Sequence, residues 1–134
     1  FSVFIFNSHG QMLLQQRAYD KYHSGGLFTN ACCSHPRPGE ETAAAAVRRL
    51  TEEMGLTTRL KPKHTFIYRT EFGNGLIEHE FDHIFEGSTD EEPVPDSSEV
   101  ASFCWKSIEE IKELIKNEPE KFTSWFRIAM EKFY

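Results

Sequence analysis

The chain has 134 residues, 39% apolar and 27% charged side chains and a net charge of −6 at pH 7, values ordinary for one globular domain spanning 1–134. They argue against a nucleic-acid binder, and no apolar run approaches the roughly 20 residues that cross a bilayer as a helix. Cysteine usage excludes a disulfide scaffold: there are three, and Cys32 and Cys33 are neighbours, a pairing ill suited to a structural bridge, so a reducing, cytoplasmic setting is expected. The charge is uneven. Residues 1–61 hold seven Lys/Arg against five Asp/Glu, whereas residues 62–134 hold eight against sixteen, so a small anionic substrate would be met by the first half.

In chain order, "FSVFIF" and "QMLLQQR" flank "NSHG" and read as two strands joined by a tight turn at Gly10. The chain opens on Phe1, already inside the first strand, and a longer natural protein is expected. A basic, glycine-containing loop, "AYDKYHSGG", leads into "LFTNACC". From Glu40 the run "EETAAAAVRRLTEEMG" reads as the best-defined helix, closed by Gly55 at the C′ position. "HTFIYRTEF", "GNG" and "LIEHEFDHIF" make a second strand pair. Its alternation suggests that Phe81 and Ile84 are buried and that Glu78 and Glu80, two apart, share one side, which on the residues alone could be the wet side. An acidic loop follows, then a strand "VASFCW", a helix opened by the capping box of Ser107 and Glu110, and a last helix expected to start at Pro119. Hairpins outnumber βαβ units, so the sheet should be mixed, an α/β (α+β) arrangement.

The helix carries a signature. Glu40, seven residues, Arg48, Leu50, Glu52, Glu53, Gly55 and Leu56 resemble the Nudix box, with Ser34 in place of its first glycine and Arg49 in place of the first Glu of its Arg-Glu pair. By itself a helix with Arg48, Arg49, Glu52 and Glu53 at these spacings is a salt-bridged solvated face. The preceding "TNACCSHP" together with the Arg-Arg pair resembles a particular branch, type I isopentenyl diphosphate isomerase, across essentially the whole chain. The resemblance implies the Nudix fold, a mixed sheet sandwiched between helices.

It also implies roles. Cys33 would be the catalytic thiol and His35 a metal ligand; two apart on extended backbone, they can face one cavity. Glu78 and Glu80 would join His35 on a metal, with Glu80 also handling a proton and Tyr68 beside it. Trp125 would line the pocket and lay an electron-rich face over a carbocation-like state. Arg17, Lys21 and Arg49 would grip a diphosphate, and Glu53 would hold Mg²⁺ on it. The inner metal would be Zn²⁺, Mn²⁺ or Mg²⁺, with two further histidine ligands drawn from upstream of Phe1. His9, His23, His64 and His83 have no matched role and read as surface or packing residues, and Cys32, Cys104 and Trp105 as structural.

The implied activity is interconversion of isopentenyl and dimethylallyl diphosphate in isoprenoid biosynthesis. The expected partner is a small-molecule diphosphate, with no nucleic acid or membrane, in a monomer or weak dimer. Two alternatives are a Nudix hydrolase of another diphosphate, against which Arg49 counts, and a Nudix domain that binds a phosphorylated ligand without turnover, against which the retained thiol, imidazole and carboxylates count.

Overall fold

A computed structural model describes residues 1–134. The strands are β1 (Ser2–Phe6), β2 (Met12–Arg17), β3 (Phe28–Thr29), β4 (Cys32–Cys33), β5 (Lys61–Glu71), β6 (Ile77–Ser88) and β7 (Val100–Lys106). The helices are α1 (Thr42–Met54), α2 (Ile108–Asn117) and α3 (Ser124–Phe133). The sheet runs β3-β2-β1-β6-β5, with β4 also on β1 and β7 also on β2. Only the β1–β6 pairing is parallel; the others are antiparallel. The mixed sheet expected from the hairpins is therefore present.

β1 is apolar from Val3 to Phe6, with both of its faces covered. Val3 and Ile5 pack with Ala45, Ala46, Leu50 and Met54 of α1, and the small alanines let that helix approach closely. Phe4 points the other way, into Phe126, Ala129 and Met130 of α3 and Ile111 of α2. The sheet thus lies between α1 and the α2/α3 pair. Leu50 is fully buried, and its truncation to Ala would cost about 2–5 kcal/mol.

α1 ends where the sequence puts its stop: Gly55 adopts φ 65°, and a Cβ there would meet the Val94 carbonyl oxygen at 2.7 Å. That close approach lets Val94 N–H donate to Met54 O and Asp96 N–H donate to Glu53 O. The acidic loop is thereby strapped to the end of the helix. α2 has the expected Ser107/Glu110 capping box.

The last helix starts later than Pro119. Pro119–Lys121 form one 3₁₀ turn; Phe122 is buried and extended, and Thr123 N–H donates to Phe28 O. Burying Phe122 and bonding Thr123 to β3 break the helix, which resumes at Ser124. No helix is long and apolar enough to cross a membrane.

Candidate active site

A cavity of about 210 Å³ opens at one end of the sheet, lined in part by Arg17, Lys21, Cys33, His35, Arg49, Tyr68, Glu78, Glu80 and Trp125. Of the residues read from the sequence, only Glu53 is not in its lining. They come from β2 and its following loop, β4, α1, β5, β6 and α3, so the tertiary fold alone brings them together.

β4 holds Cys33 against β1, with Ser2 opposite Cys33. Three groups surround the thiol. Trp125 Nε1–H donates to Sγ at 3.0 Å, and Sγ lies 3.2 Å from Asn30 Oδ1 and 3.4 Å from Ser2 Oγ. Asn30 is fully buried and cannot turn, because its amide donates to Val3 O and Cys32 O, each at 2.9 Å. Ser2 in turn donates to Asp82 Oδ2 at 2.6 Å. Burial, reinforced by the nearby Asp82 carboxylate, pushes the Cys33 thiol up to about 11, so it carries its proton at neutral pH.

Across the cavity, β5 and β6 pair Tyr68 with Glu80. The Tyr68 hydroxyl lies 3.0 Å from Glu78 Oε2 and 3.2 Å from Glu80 Oε2, so one phenolic proton serves two carboxylates. Burial and these two negative charges push Tyr68 up, and it remains a donor. The other oxygens take histidines: His35 Nε2 is 3.2 Å from Glu80 Oε1, and His23 Nε2 is 2.8 Å from Glu78 Oε1.

The wet-side reading of Glu78 and Glu80 is corrected. They share a face with buried Asp82 and Ile84, while Ile77 and Phe81 stand 56% and 58% exposed on the other. Only Ile84 onward pairs with β1; the outer part of β6 leaves the sheet body and only its cavity-facing side is covered. His79 points away, as expected.

His23, read as a surface or packing residue, does pack, and it also borders the cavity. It stacks on Phe72 at 4.3 Å between ring centroids, meets Trp125 edge-on at 6.0 Å and joins the cation-bearing loop to Glu78. His64 does pack, against Phe133.

Beyond Trp125 lie the cations. The Arg17 guanidinium sits 5.3 Å from the Trp125 ring centroid and donates to His23 O at 3.2 Å, with its Nε buried and unpartnered. Arg49 reaches Glu52 at 3.2 Å and Glu53 at 3.1 Å. Lys21 is ion-paired with Glu99, which lies 3.7 Å from Arg49 as well. Glu53 is buried, with Gln15 Nε2 3.4 Å from Oε1, and its Oε2 has no hydrogen bond. Desolvation pushes the Glu53 carboxyl up against the pull of Arg49. Arg48 instead binds Glu40 and Glu52 at the surface, holding Glu40 down near 2.

Two places suit cations in kind. Glu53 presents a buried carboxylate whose Oε2 takes no hydrogen bond and is answered only by the Arg49 ion pair. His35, Glu78 and Glu80 supply nitrogen and oxygen donors of the type taken by Zn²⁺, Mn²⁺ or Mg²⁺, although no three such side chains stand at ligating spacing while His–Glu pairs and Tyr68 engage their lone pairs.

Sequence reading missed Ser2, Asn30, Asp82 and Glu99. Asp82 had a signal, since it continues the Glu78, Glu80 spacing by two residues. Glu99 had none, being one acid among many in its loop.

The NUDIX domain matches residues 1–126. The isopentenyl-diphosphate Delta-isomerase of Pectobacterium atrosepticum is 55% identical over 128 residues, 96% of this chain and 72% of that protein. Isopentenyl-diphosphate Delta-isomerase 2 of Aromatoleum aromaticum is 49% identical over 131 residues, 98% of this chain and 69% of that protein. Among solved structures, DR0079 from Deinococcus radiodurans superposes with a TM-score of 0.81 at 18% identity, covering 99% of this chain and 81% of that one. The MutT protein from Methanosarcina mazei gives 0.79 at 21% identity, covering 98% and 88%. These two likenesses show the fold alone.

Proposed function

We infer the activity from one premise: the chain belongs to the isopentenyl-diphosphate Delta-isomerase family of NUDIX-domain proteins. Its reaction is the interconversion of isopentenyl and dimethylallyl diphosphate. A proton is added at the terminal alkene carbon and another leaves the adjacent methylene, through a tertiary carbocation-like state. Two proton-handling groups must therefore flank a flat substrate. The observation that carries this reading is a thiol fixed by the Trp125 indole on one wall of the cavity and a tyrosine-bridged carboxylate pair on another.

Cys33 donates the proton, and the indole N–H already aimed at Sγ stabilises the thiolate that is left. Glu80 accepts the proton from the methylene, while Tyr68 holds the carboxylate oxygens in place. Trp125 borders the same space, and its face offers the developing cation about 1–2 kcal/mol when desolvated. Arg17, Lys21 and Arg49 bind and orient the diphosphate, which takes no part in the chemistry.

His35, Glu78 and Glu80 would hold one divalent cation, and Glu53 would hold Mg²⁺ against the diphosphate. Bound there, such ions supply charge neutralisation and tune the basicity of the carboxylates. A hydrolase reading is disfavoured because Arg49 stands where that activity wants a carboxylate.

The test is a reaction in deuterated water with isopentenyl diphosphate and Mg²⁺, followed by proton and phosphorus NMR. Deuterium-labelled dimethylallyl diphosphate with the diphosphate intact is the expected product. Release of phosphate would overturn the reading.

A further inference from the structure

We propose that Glu99 makes diphosphate binding conditional on a divalent cation, because in the free protein it occupies the cations that the diphosphate would take. The inference rests on the diphosphate reading of the site and adds to it a reason for metal dependence.

Glu99 lies in the wall of the same cavity. Its Oε2 is ion-paired with Lys21 and stands 3.7 Å from Arg49 Nη2, while Arg49 also faces Glu53 at 3.1 Å. Lys21 and Arg49 are thus answered by Glu99 and Glu53, and this end of the cavity is close to neutral. An incoming diphosphate meets two carboxylates already seated among its cations. The backbone at Glu99 cannot swing away from the cavity, because it is fixed on several sides. Glu99 O accepts from Ala18 N–H, Glu99 N–H donates to Asp96 O, and Asp96 N–H donates to Glu53 O at the end of α1. The strap that begins at Gly55 therefore delivers this carboxylate to the cavity and holds it there. A divalent cation binds carboxylate and phosphate oxygens together, turning repulsion into a shared contact.

Inorganic pyrophosphate is the probe, titrated calorimetrically into the protein and into Glu99→Gln, in EDTA and in Mg²⁺. The parent should bind with Mg²⁺ and at least about tenfold more weakly without it. Glu99→Gln should bind metal-free pyrophosphate at least about tenfold more tightly than the parent, so that the ratio between the two conditions collapses. Glu91→Gln, the same charge change outside the cavity, should leave that ratio as it is.

Equal metal-free affinities for the parent and Glu99→Gln, with Mg²⁺-dependent binding intact in the parent, would overturn the inference and leave the diphosphate site standing. No binding by the parent in either condition would overturn the diphosphate reading and this inference with it. Glu99→Ala, measured in parallel with melting temperatures for every variant, keeps a misfolded protein from imitating either result.

Discussion

The two ends of the cavity hold their polar groups in opposite ways. At the thiol end Cys33 keeps its proton and is fixed by hydrogen bonds to or from Trp125, Asn30 and Ser2. At the cation end the groups are held in ion pairs, with Lys21 and Arg49 matched against Glu53 and Glu99. The first arrangement suits proton transfer, which needs a donor atom fixed in place and kept dry. The second suits exchange of one anion for another, which needs charges that are satisfied until a better partner arrives. Substitutions at one end should therefore change turnover, and substitutions at the other should change binding.

Cys33→Ala and Glu80→Gln make the sharpest break. Each removes a proton-handling atom while leaving the cation end untouched, so kcat should fall by at least about 10³-fold. Affinity for inorganic pyrophosphate, measured by calorimetry in Mg²⁺, should stay within about threefold of the parent. A matching loss of affinity would mean that the ends are not separable. Lys21→Ala is the converse test. It removes one cation of the set, so KM should rise about 10-fold or more while kcat changes by less than about threefold. Steady-state kinetics on the isomerisation would show the split.

Much of the cation end is written locally in the sequence. The spacing from Glu40 to Leu56 places Arg49 and Glu53 on one helical turn, and Gly55 ends the helix where its backbone requires. The alanine run gives α1 the narrow face that packs on β1. The thiol end is less legible, because its contacts span long separations. Ser2 meets Asp82 across 80 residues and Trp125 meets Cys33 across 92.

Apolar content was informative along β1 and misleading along β6. β1 is buried on both faces, whereas β6 passes beyond the sheet body at Ile77 to His83 and leaves Phe81 in solvent. Hydrophobicity reports burial only where neighbours exist to cover the strand. His23 escaped notice for a related reason. A histidine in a glycine-containing loop carries no periodic signal, and only the folded loop brings it to Glu78.

The smallest effect sharpens the comparison at a single hydrogen bond. Burial holds the Cys33 thiol up near 11, and the Ser2 contact acts against that rise. The sign follows from the charged form: the thiol is neutral below its pKa, so the proton-donating state persists through neutral pH and is lost only as pH climbs toward 11. Alkylation by iodoacetamide, which needs the thiolate, should be slow at pH 7.5 and rise about tenfold per pH unit through pH 10. Mass-spectrometric identification of the labelled peptide separates Cys33 from buried Cys32 and half-buried Cys104. Trp125→Phe keeps an aromatic face but deletes the N–H that donates to Sγ at 3.0 Å. Losing a donor to the thiolate disfavours the charged form, so the alkylation profile should move to higher pH. Turnover should fall by only about 3- to 10-fold, since one hydrogen bond of about 1 kcal/mol is removed from the thiolate-bearing state. A shift to lower pH would show that the indole does not serve the thiolate and that Trp125 belongs to the cavity wall alone.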